Sequence, residues 1–336
     1  MNAERLVEVI RGGVVESEHW GHIAIVNREG TLIYSNGNPN RITFARSSMK
    51  PLQAIPIVET GAADFYNLSQ KDLSLACASH NGEDQHTNQV RKILNRLDLT
   101  IDSLKCGTHP PRWQEKYEEL MKSGSEVSAE YNNCSGKHSG MLTTAKFMEE
   151  SLEDYYNTNH PVQKRIIEVI SDLCEIPVEK IEIGIDGCGV PVHGIPLAKL
   201  ALGFAKLANP SALPEKRKNA IERVTSAMMN EPEMVGGTDR FCTDFMRIED
   251  GRMFGKAGAE GVYCIGDIET GIGIALKIED GNGRATSSVA VEVLKQLKLL
   301  DEKQSELLKE YHYPNLKNAR QEVIGQLRPC FSLNNM

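Results

Sequence analysis

In the stretch FARSSMKPLQA, residues 44–54, Ser47 stands three residues before Lys50 and a proline follows at once. A serine hydroxyl becomes a nucleophile when a neighbouring base takes its proton, and lysine serves as that base only where its surroundings keep it neutral. Pro51 lacks an N–H and is tolerated in the first turn of a helix, so a helix is expected to start between about Ser47 and Pro51. With Ser47 in that first turn, Lys50 shares its face. Ser47 then also sits among unpartnered N–H groups at the positive end of the helix dipole, where an oxyanion would be stabilised. Pro56 is expected to keep the helical face short. The same four residues serve equally well as a helix cap and a surface lysine. A chain of this length carries about one S-x-x-K by chance.

A second element adds weight. In GKAGAEGVYCIGD, Lys256 forms K-x-G on a late strand, among small residues that would let a substrate backbone approach. A serine on the first helix and K-x-G on a late strand is the layout of serine β-lactamases and penicillin-binding proteins. Other polar groups fall at the ends of elements. CASHNGEDQH holds Ser79 and His80 where a helix finishes. NNCSGKHSG holds Cys134, Lys137 and His138 where another begins, and IEIGIDGCGVPVHG delivers Asp186 and Cys188 off the end of a buried strand. Cys134, His138, Cys188 and His193 are of metal-ligating types. No paired C-x-x-C makes the spacing diagnostic, and buried structural cysteines are the commoner reading. His22, His86 and His160 have no such company and read as structural.

These residues need a scaffold. The 336 residues suffice for one large domain or two intimate ones. The 40% hydrophobic and 25% charged composition is that of a soluble globular chain. A net charge of −8 argues against nucleic acid as a partner. No apolar run approaches the roughly 18 residues of a membrane helix. The opening MNAERLVEVIRGG has charges where a signal peptide needs its apolar core, which points to the cytoplasm. Eight scattered cysteines then read mostly as free thiols. HIAIVNREGTLIY, 22–34, reads as two strands about a turn, and helical periodicity dominates from about 47 to 232. GVYCIGD and GIGIALKIED return to strand, and the helix ATSSVAVEVLKQLKLL follows. The expected architecture is α+β. An antiparallel sheet from both chain ends (1–60 and 245–336) brackets a mostly helical insertion (61–244).

Taken together, ARSSMKPLQA, ASHNGE, NNCSGKHSGML, DGCGVPVHG and GKAGAEG resemble the Rhizobium-type, class 3 L-asparaginases. The motifs run in family order from about residue 44 to 261. The resemblance implies a fold like that of serine β-lactamases, hydrolysis of L-asparagine to L-aspartate and ammonia, and a homodimer. It implies two Ser–Lys pairs, here Ser47 with Lys50 and Ser79 with Lys256. It also implies a zinc ion held by Cys134, Lys137 and Cys188. Arg46, His138 and Asp186 match neighbouring substrate-site residues, and His80 is placed with them. Three alternatives remain open at this stage. They are a glutaminase, a penicillin-recognising serine hydrolase, and a metal-binding module in which Cys134 and Cys188 matter and Ser47 does not.

Overall fold

The computed structural model describes residues 2–336. The chain forms two compact units, Met1–Ser48 with Ile195–Ala208 and Gly255–Met336, and Met49–Gly194 with Asn209–Phe254. The chain passes between the units at 48/49, 194/195, 208/209 and 254/255, whereas the sequence alone suggests 60/61 and 244/245 with one unbroken insertion between them.

The first unit is built on an antiparallel sheet. Its strands are β1 (Glu4–Arg11), β2 (Val14–Val26) and β3 (Leu32–Asn36) from the start of the chain; β4 (Ile42–Phe44) follows them. After β5 (Glu182–Ile185) and β6 (Pro191–Pro196), which lie far along the chain, the sheet resumes. It takes in β7 (Met253–Gly258), β8 (Val262–Asp267), β9 (Ile272–Ile278), β10 (Asn315–Lys317) and β11 (Val323–Pro329). The order is β10-β11-β1-β2-β9-β8-β7, with β3 also paired to β2. Both chain ends meet where β1 lies antiparallel to β11, Val7 opposite Pro329 and Arg11 opposite Gly325. The expected sheet from both termini is therefore present. Strand β8 is buried along its whole length and β9 from its second residue on. Helices pack on both strands, which is why they read as near-continuous apolar runs. Gly273 sets the spacing to one of them. A Cβ there would lie 2.0 Å from the Ala201 carbonyl oxygen, so helix Leu197–Ala208 rests directly on β9. Helix Thr286–Gln296 buries Val289, Val293 and Leu294 against the sheet.

The second unit is mostly helical. At its centre lies helix Ser135–Phe147, buried from Ser135 through Ala145. Gly136 and Gly140, one turn apart, make this possible. A Cβ at Gly136 would fall 2.2 Å from the Leu75 carbonyl oxygen, and one at Gly140 would fall 2.5 Å from Ile57 Cδ1. The central helix thus lies close against Lys50–Glu59 and Gln70–Ala76. A 3₁₀ turn, Arg46–Met49, precedes helix Lys50–Glu59, so the start falls where Pro51 requires. Pro56 does not end that helix, which runs on to Glu59. Packing against helices Pro161–Cys174, Glu215–Asn230 and Ser135–Phe147 outweighs the one lost backbone bond. One further expectation is corrected. Strand β5 is not buried, with Ile185 67% exposed; it is the outer strand of a hairpin whose inner strand, β6, is the buried one.

Candidate active site

Within the first unit the serine turn is tightly specified. Arg46 opens it at φ +51, a left-handed conformation uncommon outside glycine. Ser48 is fully buried, and both its hydroxyl (2.7 Å) and its N–H (3.1 Å) donate to the Ala45 carbonyl. Ser48 is therefore committed to the turn, whereas Ser47 is only half-buried. The commitment also removes the Ser48 N–H from the unpartnered donors expected near Ser47. Lys256, on β7, is 1% exposed and donates to the Ala257 carbonyl at 2.8 Å. A Cβ at Gly258 would lie 2.5 Å from the Ala45 carbonyl oxygen and 3.3 Å from the Ser48 nitrogen. The glycine of K-x-G thus makes room for the chain's own serine turn.

Within the second unit, Lys50 is wholly buried. Its Nζ donates to the Ala78 carbonyl and, at 3.0 Å, to the Ser79 hydroxyl. Burial holds its pKa below that of a free lysine; the sulfur of Cys134 opposes this and the Lys137 cation reinforces it. The amine that the sequence pairs with Ser47 thus has Ser79 as its serine partner within the second unit. The Ser79 loop is pinned by its own N–H, which donates to Val235 at 2.9 Å. His80 beside it has partners for both ring nitrogens within the fold. Its Nε2 bonds the Ser135 hydroxyl (2.9 Å), which itself donates to the Glu130 carbonyl, and its Nδ1 accepts the Gly82 N–H (3.1 Å). Burial, with His86 stacked 4.9 Å away, keeps it neutral. His80 thereby ties the Ser79 loop to the start of the central helix. His22, His86 and His160 likewise spend both ring nitrogens inside the fold, as the sequence suggests.

The same central helix presents the thiol and amine groups. Cys134 caps its start, with its N–H on the Asn132 side-chain oxygen at 2.9 Å, and Lys137 follows three residues on. Cys188 arrives from the β5–β6 turn. There Gly189 adopts φ +85 and donates to the Asp186 carbonyl at 2.9 Å, closing the turn tightly. Lys137 Nζ stands 3.0 Å from Cys188 Sγ, and all three side chains are at most 4% exposed. The Cys134 thiol donates to Cys188, which pushes Cys134 up to about 12 and draws Cys188 down to about 5. Burial would lower Lys137, but the two sulfurs outweigh it and raise its pKa. Two sulfurs and an amine gathered away from water are a donor set suited to zinc. Among the described residues no three His, Cys, Asp or Glu side chains gather to hold a metal, so any site here needs the lysine.

His138, next on the helix, is fully buried, with Nδ1 2.7 Å from the Tyr155 hydroxyl and Nε2 without a partner. Burial and the Lys137 cation push it down to about 3. His193 on β6 is also buried and pushed down, to about 4, by burial and Lys137. Asp186 is half-buried at the turn and raises Lys137 electrostatically. Sequence reasoning missed Tyr155 and Ser135. Ser135 lies within NNCSGKHSG, where the cysteine, lysine and histidine draw the eye, and Tyr155 lies in no recognisable pattern; the one available signal for both is that a buried histidine must find partners.

No curated protein matches the chain. Among solved structures, an octameric penicillin-binding protein homologue from Pyrococcus abyssi is 14% identical, covering 87% of this chain and 76% of that one at a TM-score of 0.46. A β-lactamase from Mycobacterium bovis is 14% identical, over 87% and 95%, at 0.40. The native form of a protein named Mglu is 14% identical, over 84% and 65%, at 0.46. All three likenesses are distant. The profile of the L-asparaginase II family matches residues 7–329, nearly the whole chain, and the chain belongs to that family as an amidohydrolase acting on asparagine.

Proposed function

We propose that the chain converts L-asparagine to L-aspartate and ammonia through an acyl-enzyme on Ser47, with lysine as the base. The observation that carries this reading is the wholly buried Lys50, its amine 3.0 Å from one serine and three residues from another. A lysine with a lowered pKa offers the lone pair that a poor electrophile such as an amide requires of its base. Lys50 takes the Ser47 proton as Oγ bonds to the side-chain carbonyl carbon. The proton passes to the amide nitrogen, the C–N bond breaks, and ammonia leaves. Water then adds to the acyl carbon and gives a proton to the base. The bond to Oγ breaks, Ser47 regains a proton, and aspartate leaves. The family resemblance pairs Ser79 with Lys256, and in this reading that second pair relays protons. Arg46 and Asp186 have charges opposite to the α-carboxylate and α-ammonium of the substrate, and His138 supplies a neutral polar contact.

Cys134, Lys137 and Cys188 would hold zinc. When bound there, the ion supplies a Lewis-acid point that orients the substrate; thiolate ligands leave it too weak for more. A homodimer, which rests on the family resemblance, completes the proposal.

Ammonia release from asparagine, glutamine and a set of linear amides, beside hydrolysis of a chromogenic β-lactam, tests the reading. One substrate methylene is worth about 1–3 kcal/mol, so asparagine should lead glutamine by about 10- to 200-fold in kcat/KM. A glutamine preference, or β-lactam turnover at a comparable rate, would overturn the assignment of substrate.

A further inference from the structure

The protons around His138 can be accounted for individually. Tyr155 is fully buried, and its oxygen accepts the Lys105 N–H at 2.9 Å. The remaining contact of its hydroxyl is His138 Nδ1, 2.7 Å away. A neutral imidazole has one N–H and one lone pair. If Nδ1 bore the proton, it would point at an oxygen already accepting one donor. The tyrosine proton would then lack an acceptor, and the Nε2 lone pair would be orphaned as well. If instead Tyr155 donates to Nδ1, every proton and lone pair on that side is used, and the Nε2–H alone is left over. Buried polar groups are overwhelmingly satisfied, so the arrangement that leaves one orphan prevails over the one that leaves two.

We infer that Tyr155 is a positioning residue that fixes His138 as its Nε2–H tautomer, so that the single unpartnered donor of this buried pair is offered to an oxygen of the bound substrate. The inference deepens the proposed function and rests on its assignment of the substrate site. The geometry is that of a preorganised donor, which needs no rearrangement when negative charge develops on the substrate. Its orientation is held from behind, by a tyrosine whose own position the Lys105 backbone secures. No sequence motif marks Tyr155, because the contact to His138 spans 17 residues between a helix and a loop.

Imidazole ¹⁵N NMR reads the tautomer directly, with the His138 signals assigned by their loss in His138→Gln. Wild-type protein should show a protonated Nε2 and an unprotonated Nδ1, and saturating aspartate should shift the Nε2–H resonance. In Tyr155→Phe the two nitrogens should lose this asymmetry, and kcat should fall about 10- to 100-fold with KM changed far less. A wild-type spectrum with the proton on Nδ1 would overturn the inference, whether or not the variant folds. So would a folded Tyr155→Phe with unaltered tautomer and kcat. Ser47→Ala, measured alongside, separates the two levels. Full activity in that variant defeats the proposed function, whereas loss of activity with a wrong tautomer defeats the role of Tyr155 alone.

Discussion

Replacing Lys50 with methionine should separate activity from stability. Methionine matches the length of the lysine stem but cannot accept a proton. A positioned general base contributes about 10²- to 10⁴-fold, which is about 3–5 kcal/mol of barrier. The stability change runs through opposing effects. Lys50→Met leaves the Ala78 carbonyl and the Ser79 hydroxyl without their donor, at about 1–3 kcal/mol. It also removes an ionisable group that is wholly enclosed, and hydrophobic replacement of buried ionic groups often gains about 1–4 kcal/mol. The two nearly cancel. The melting temperature should therefore move by less than about 8 °C while kcat/KM for ammonia release falls at least 100-fold. Lys50→Arg is the control, because a guanidinium keeps its proton throughout the working range. It should be as inactive as the methionine variant. Near-normal turnover in Lys50→Met, or recovery in Lys50→Arg, would show that the residue acts as a cation or a spacer and not as a base.

Ser47→Ala should abolish turnover with the fold intact, whereas Ser48→Ala, which loses only a turn hydrogen bond, should cost about 1 kcal/mol of stability and leave chemistry nearly unchanged; comparing ammonia release with thermal melts checks both. Purified protein should contain about one zinc per chain by elemental analysis, lost in Cys134→Ser and in Cys188→Ser. Since Cys134 and Lys137 hold their protons and Cys188 does not, calorimetry in buffers of different ionisation heat should show about two protons released on zinc uptake. The rate at constant zinc occupancy should climb as pH rises through the lowered pKa of Lys50, and a flat profile between about pH 6 and 9 would point to a carboxylate base. The linkage has the same sign: the unfolded lysine keeps its proton up to 10.5 and the native one loses it sooner, so this residue makes stability rise with pH across that interval.

Much of this organisation is legible in the chain because it is local. Pro51 dictates where the first helix begins, and the apolar runs of β8 and β9 announce a sheet buried on both faces. Less legible is β1, whose segment ERLVEVIR alternates poorly because Glu8 is drawn inside by a cross-strand partner. Strand β11, VIGQLRP, carries a glycine, an arginine and a proline, none of which favours a strand by itself. At the site, residue types and order could be read, but partners could not. Lys50 meets Ser79 only because a loop returns 29 residues later, and His80 is spent on Ser135, a contact spanning 55 residues. Gly258 shows the same limit. Its lack of a side chain signals a close approach, and only the folded chain reveals that the approaching backbone is its own.

The union of both chain ends in one sheet matters for how the protein is made. Strand β1 can pair with β2 as soon as both leave the ribosome, since only Gly12 and Gly13 separate them. Its other edge must wait for β11, about 300 residues later, which at 5–20 residues per second is about 15–60 s of synthesis. For that interval the nascent chain displays an unpaired strand edge, a template for wrong association. Glu8 lies on that edge. In the finished sheet its carboxylate accepts from Arg328, directly opposite on β11, at 2.8 Å. Until Arg328 is made, the carboxylate lacks this cross-strand partner, and a charge at the middle of an open strand repels apolar strands from other chains. The ion pair that closes the sheet is thus also a guard during translation, relieved only when the correct partner strand arrives.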